Sequence, residues 1–206
     1  MIDESVVKPS MGLSGVASVL SRPKALLARR LVAQGRLGGG EFVKESVARQ
    51  FDHMGLTLSA GELDLLSQWL ERGLHTKVDV KTHSQDGTIK LLLALADGKK
   101  VETVAMPVGA CCVSSQVGCA VGCKFCASGL FGVERNLSID EIVEQVVHAR
   151  RLMPIERVVY MGMGEPSHNL DNVLAAVARI KEELMISPRR QTLSTVGGIK
   201  PLEKMR

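Results

Sequence analysis

The chain has 206 residues, of which 45% are hydrophobic, 23% charged and 3% aromatic, with a formal net charge of +4. That length allows one large domain or two modest ones, and the balance of apolar and charged residues is that of a globular chain, not a disordered or fibrous one. No apolar run is long enough to cross a bilayer, the opening "MIDESVVKPS" lacks the basic-then-apolar pattern of an export signal, and the modest positive charge accommodates a polyanionic partner without requiring one.

Residues 1–24 carry Pro9, Gly12, Gly15 and Pro23, which interrupt any period, and read as an irregular leader. "KALLARRLVA" (24–33) has the apolar spacing of a basic amphipathic helix, and Gly38-Gly39-Gly40 then breaks the chain. "GEFVKESVARQFDHMG" and "SAGELDLLSQWLERG" repeat apolar residues at i, i+3 and i+4, predicting two more helices. Ser59, with Glu62 three residues on, has the form of a capping box at the start of the second. Residues 1–75 are thus read as a helical accessory region.

From Lys77 the period becomes two. "KVDVKTH", "TIKLLLALA" and "KVETVAMP" are parted by Asp86-Gly87 and Asp97-Gly98, dipeptides that favour tight hairpins. They predict an antiparallel meander within residues 76–110. Beyond it, short apolar strands alternate with helices: "CVSSQVG" (strand), "SIDEIVEQVVHARRLM" (helix, Ser138 as N-cap with Glu141), "RVVYMGMGEP" (strand and glycine turn), "NLDNVLAAVARIKEEL" (helix, capped near Asp171) and "RQTLSTVGG" (strand). Parallel strands need such helical crossovers, so residues 111–206 are expected to form three βα units. Ligands bind beyond the carboxyl ends of such strands, where the cysteine loop, "GMGEP" and "STVGG" all fall.

All five cysteines lie between residues 111 and 126: Cys111, Cys112, Cys119, Cys123 and Cys126. An odd, clustered set without an export signal points to metal or redox chemistry in a reducing, cytoplasmic setting, not to a disulfide scaffold. Cys119-Ala-Val-Gly-Cys123-Lys-Phe-Cys126 offers three thiolates from one loop. A closed zinc site wants four ligands, and so does a fully cysteine-ligated iron–sulfur cluster; His148, on a predicted helix, would reach the loop only by accident of fold. Three soft ligands with one open metal position suit a [4Fe–4S] cluster whose fourth iron binds a small molecule. Zinc stays open as the alternative.

The CxxxCxxC spacing with Phe125 before the last cysteine resembles the radical S-adenosylmethionine enzymes. The words "SQDGTIK", "VETVAMP", "CVSSQVGC", "GMGEP", "NLDNV" and "TLSTVGG", in that order, resemble one branch of them, the RlmN/Cfr family of RNA adenine methyltransferases. The resemblance runs from about residue 84 to the end and leaves residues 1–75 without a family word. It implies an α/β fold: a partial parallel (β/α) barrel, represented here by its first three βα units of six. It implies a [4Fe–4S] cluster on Cys119, Cys123 and Cys126, and S-adenosylmethionine held with the help of Gly164, Glu165, Ser194 and Phe125. It also places Glu102 as the acid/base carboxylate and Cys112 as the thiol that resolves a protein–RNA intermediate by forming a disulfide. Cys111 matches no family position. The family's chemistry passes through a 5′-deoxyadenosyl radical and a methylated cysteine to C2 or C8 of an adenine in 23S rRNA, with some tRNAs as further substrates of the C2 branch. The implied partners are RNA and a one-electron reductant such as flavodoxin, with a monomeric protein and no membrane.

The family's methyl-carrying cysteine has no counterpart after Cys126, and a six-unit barrel needs roughly another hundred residues at about thirty per βα unit; the expectation is a fragment. "CASG" after the third cysteine, Val133 before "RN" and a short link from Glu102 to Cys112 depart from the family pattern. A radical enzyme with another substrate, or a non-catalytic cluster- or zinc-binding RNA module, are therefore the competing readings.

Overall fold

A computed structural model of the chain describes residues 20–33, 44–197 and 203; most of the expected leader and the Gly38–Gly40 break lie outside them. The chain divides into two compact units, 1–75 and 76–206. In the first, α1 (Arg22–Ala33), α2 (Lys44–His53) and α3 (Ala60–Arg72) follow one another. Helix α1 starts two residues earlier than its apolar pattern, with Pro23 in the first turn, where its missing N–H costs nothing. Its Ala25, Ala28, Leu31 and Val32 are buried at helical spacing, as are Phe51 on α2 and Leu66 and Trp69 on α3. The capping box at α3 is formed: Glu62 N–H donates to Ser59 Oγ at 3.3 Å and Ser59 N–H to Glu62 Oε2 at 2.9 Å. The Lys24 ammonium, 2.7 Å from Glu62 Oε2, and the Ser59 N–H hold the Glu62 carboxyl down at about 2.

The second unit is built on a six-stranded sheet. Strands β1 (Lys77–His83), β2 (Ile89–Ala94), β3 (Lys100–Met106) and β4 (Ala110–Cys112) run antiparallel in sequence order; β7 (Arg157–Tyr160) and β8 (Gln191–Leu193) then join β4 in parallel. Meander and parallel strands therefore share one sheet. Both hairpins use the expected turns: Asp86 Oδ1 accepts from Thr88 N–H and Asp97 Oδ1 from Lys99 N–H, at 2.9 and 3.1 Å. Helices α4 (Ile139–Arg150) and α5 (Leu170–Leu184) form the crossovers. Ser138 and Glu141 cap α4 reciprocally, and Arg179 of α5 bridges Asp140 of α4 and Glu183.

Both helices cover the same face of the sheet, since Gln145 of α4 bonds Thr103 and the Val177 carbonyl of α5 accepts from Gln191. On that face Leu91, Leu93, Val101, Thr103, Ala105, Cys111 and Val158 are 0% exposed. The opposite face carries Leu92, Glu102, Val104, Cys112, Val159 and Thr192 in register across five strands, and all of these are half-buried or exposed. A mixed α/β sheet with its parallel strands and crossovers on one side is the expected partial barrel.

Three local expectations change. "CVSSQVG" is not one strand: β4 ends at Cys112, and β5 (Gln116–Gly118) pairs instead with β6 (Val133–Asn136) in a separate antiparallel ribbon. The strand β6 carries no alternating apolar signal, so the sequence did not mark it. The chain enters α5 through a 3-10 turn at Pro166–Asn169, so the helix begins at Leu170, just ahead of Asp171.

Candidate active site

The loops leaving the carboxyl ends of β4 and β7 are stitched together by backbone. Val113 N–H donates to the Val159 carbonyl and Gly162 N–H to the Val113 carbonyl; the Met163 carbonyl accepts from both Ser115 and Gln116. This lacing brings "GMG" so close to residues 113–116 that side chains are excluded there. A Cβ on Gly162 would stand 2.8 Å from the Val113 carbonyl, and one on Gly164 2.6 Å from Gln116 Cβ, with φ at +97° besides.

Glu165 follows the glycine turn and is 5% exposed. Its carboxylate accepts from Ser167 N–H at 3.0 Å, from Val196 N–H at 3.1 Å and from the Thr195 hydroxyl. Burial pushes its pKa up, but the hydrogen bonds from Thr195 and from the Ser167 and Val196 amides outweigh burial, and the net direction is down. The result is a fixed anion that joins the β7 and β8 loops. Ser194, one residue before Thr195, is exposed.

Glu102 and Cys112 share the open face of the sheet. Cys112 lies opposite Val104, and Glu102 sits one pleat beyond, where β4 has ended. Its backbone is satisfied there by side chains: Ser114 Oγ donates to the Glu102 carbonyl at 2.6 Å, and Glu102 N–H donates to Met163 Sδ at 3.4 Å. The Glu102 carboxylate is 2.9 Å from Lys90 Nζ, on a side chain 46% exposed. Burial raises the pKa of the Cys112 thiol, partly opposed by the Met161 N–H. Cys111 points the other way, into the helix-covered core, where burial, then the neighbouring Cys112, raise its pKa further. Strand alternation thus separates two adjacent thiols, one for packing and one facing the open side.

The cysteine loop hangs on the β5–β6 ribbon, whose neck closes with Cys119 N–H donating to the Gly132 carbonyl at 3.0 Å. Cys126 N–H returns to the Cys123 carbonyl at 3.0 Å. All five cysteines are free, and Cys119, Cys123 and Cys126 are half-buried. Among the described residues, no three His, Cys, Asp or Glu side chains converge as metal ligands; a bound metal is what draws free thiols onto one point. The donor set itself, three unpaired soft sulfurs on one short loop, fits an iron–sulfur cluster. Phe125 is 94% exposed beside them. His148 lies at the far end of α4, with Nε2 2.9 Å from Thr76 Oγ1 and 3.2 Å from the Thr76 carbonyl, so it is engaged away from the loop.

Residues 113–206, from the end of β4 onward, match the profile of the Radical SAM superfamily. That part of the chain is a Radical SAM domain. A "Probable RNA methyltransferase" of Stutzerimonas stutzeri is 51% identical over 120 residues, covering 58% of this chain and 35% of the relative. A "Probable dual-specificity RNA methyltransferase RlmN" of Rhodopirellula baltica is 51% identical over 135 residues, covering 61% and 36% respectively. The crystal structure of a radical SAM methyltransferase from Sphaerobacter thermophilus superposes with a TM-score of 0.69 at 31% identity, covering 95% of this chain and 58% of that one. The chain spans about a third of the length of these curated relatives.

The radical SAM rim is framed by buried amides that the sequence reading passed over. Gln145, 0% exposed, accepts from Ser114 N–H at 2.7 Å and from the Thr103 hydroxyl at 2.8 Å; its amide nitrogen donates to the Ser114 carbonyl at 3.0 Å. It takes the place of a neighbouring strand at Ser114, which is why β4 and β5 are separate. Asn169 donates to the carbonyls of Ser115 and Leu137 at 2.8 and 2.9 Å, and Asn172 to Leu137 at 3.0 Å. The available signal was a polar amide at an inward position of an apolar pattern, since buried amides are nearly always paired.

Proposed function

We propose that this chain serves a radical SAM RNA methyltransferase that methylates C2 of an adenosine in 23S rRNA, with tRNA as a further substrate. The observation that carries the reading is the rim itself: a three-thiol loop beside a glycine turn whose fixed carboxylate, Glu165, joins two strand-end loops. The names of the curated relatives support the RNA substrate. The crystal structure's 95% coverage, which must reach into residues 1–75, supports assigning that region to the same kind of enzyme.

In this reading Cys119, Cys123 and Cys126 hold a [4Fe–4S] cluster, and Gly164, Glu165, Ser194 and Phe125 line the site for S-adenosylmethionine. When bound, these groups supply one-electron reductive cleavage of a carbon–sulfur bond. Glu165 supplies a carboxylate already paid for in desolvation, suited to a ligand ammonium. Glu102, backed by Lys90, takes up a proton on its carboxylate, and Cys112 keeps its proton on Sγ until a partner thiol or RNA adduct reaches the open face. None of the five cysteines is assigned the methyl-carrying role. RNA and an external one-electron reductant such as flavodoxin are the partners, acting with a cytoplasmic monomer; no described helix is long and apolar enough to cross a membrane.

Anaerobic reconstitution with iron and sulfide tests the cluster: the expected product is brown, with about four irons per chain, and Cys119→Ala abolishes it. A colourless zinc protein refutes the cluster assignment. Mass analysis of 23S rRNA from a strain lacking the gene tests the substrate; retention of every methyladenosine refutes it and favours the reading with another substrate, to which "CASG" and Val133 already point.

A further inference from the structure

The cysteine loop and the glycine turn belong to different loops, yet the proposed ligand must touch both. We infer that Gln116 and Asn136 form a strut that sets their spacing, making both positioning residues for S-adenosylmethionine; this rests on the reading above. Gln116 is the first residue of β5, at the stem of the cysteine loop, and is 2% exposed. Its Oε1 accepts from Glu165 N–H at 2.9 Å, and its Nε2 donates to Asn136 Oδ1 at 2.7 Å. Asn136, directly opposite on β6, passes the chain on through Nδ2 to the His168 carbonyl at 3.3 Å. The polar path therefore leaves the glycine turn at Glu165, crosses both strands of the ribbon, and returns to the 3-10 turn that Glu165 caps.

The geometry leaves this path little slack. Gly164 has no side chain because Gln116 Cβ and Cγ fill that space, so the glutamine is wedged against the turn as well as bonded to it. A ligand held at one end by the cysteine loop and at the other by Glu165 gains from fixed separation, as any two-point attachment does. Asn136 is exposed, so its side chain contributes little to the core, and the Gln116–Asn136 pairing of the ribbon backbone does not depend on it.

Asn136→Leu removes both hydrogen bonds at similar volume; Asn136→Asp keeps the acceptor for Gln116. In the metal-free chain, Asn136→Leu is expected to raise hydrogen–deuterium exchange at the Glu165 amide about tenfold, the scale of one lost hydrogen bond, in a chain that remains folded; unaltered protection there overturns the strut. In the reconstituted chain, the probe is the change that S-adenosylmethionine makes in the electron paramagnetic resonance signal of the reduced cluster. Asn136→Leu should hold the same iron yet need about five- to tenfold more cofactor to reach half of that change, while Asn136→Asp stays near the parent. Equal affinity in all three overturns the positioning role. A parent chain that takes up no cluster overturns the reading of the cysteine loop and the positioning role with it, while the exchange result still decides whether the strut exists.

Discussion

Gln145→Leu isolates the interaction that divides β4 from β5. The leucine fits the volume, but it removes the acceptor for Ser114 N–H and Thr103 Oγ1 and the donor for the Ser114 carbonyl, all in a region where Thr103, Ser114 and Gln145 are 0% exposed. Each buried polar group left unpaired costs roughly 1–3 kcal/mol, so three set a lower bound of about 3 kcal/mol. The gain from burying a more apolar side chain returns about 1 kcal/mol, leaving a net loss of at least about 2 kcal/mol. With a urea slope of about 1–3 kcal/mol/M, the midpoint should fall by roughly 1 M. The chain's single tyrosine and single tryptophan separate the two units: Tyr160 lies on β7 and Trp69 on α3. Urea titration should therefore move the transition read at Tyr160. A shift worth less than about 0.5 kcal/mol in the Tyr160 transition, small beside the cost of one unpaired buried group, would show that Ser114 is satisfied in another way and that Gln145 does not hold the break.

Glu165→Gln puts an amide donor against the Val196 or Ser167 N–H, so the loop after β8 should detach; exchange at the Val196 amide is expected to rise about tenfold, and unchanged protection would show that the Glu165 contacts do not hold that loop. Gly162→Ala forces its Cβ onto the Val113 carbonyl and should cost about 1–3 kcal/mol, read as a fall in the Tyr160 urea midpoint, whereas Gly61→Ala on α3, where nothing lies within 4 Å, should cost nothing. His148 is held neutral, its pKa brought down to about 4 by burial and then by the Arg151 charge, against which its Thr76 bond acts. Unfolding lets it return to the ordinary value of about 6.5, so its share of stability is complete above that pH and is lost as pH falls towards 4, by up to about 3 kcal/mol. Glu144 also contacts Thr76, so the acid profile should be compared with that of His148→Gln, which should be flatter between those pH values; identical slopes would refute the assignment.

The local grammar of this protein was legible in its sequence. The capping boxes at Ser59 and Ser138, the hairpin turns at Asp86 and Asp97, the alternation on β2 and β3 and the spacing of Cys119, Cys123 and Cys126 are each set by groups within about four residues of one another, whose geometry the backbone fixes directly. The site was legible as three loops at one rim, because parallel strands with helical crossovers put their carboxyl ends together. What joins those loops was not. Gln145 reaches Ser114 across 31 positions, Glu165 reaches Thr195 across 30 and Gln116 reaches Glu165 across 49. Which buried amide, carboxylate or hydroxyl meets which orphaned backbone group depends on how the helices and sheet have already packed, and no pattern in a linear chain records it. Composition and periodicity determined the elements and their order; the demand that every buried polar group find a partner, met only once the chain had closed on itself, decided where β4 stops, how β6 arises and how the rim is held.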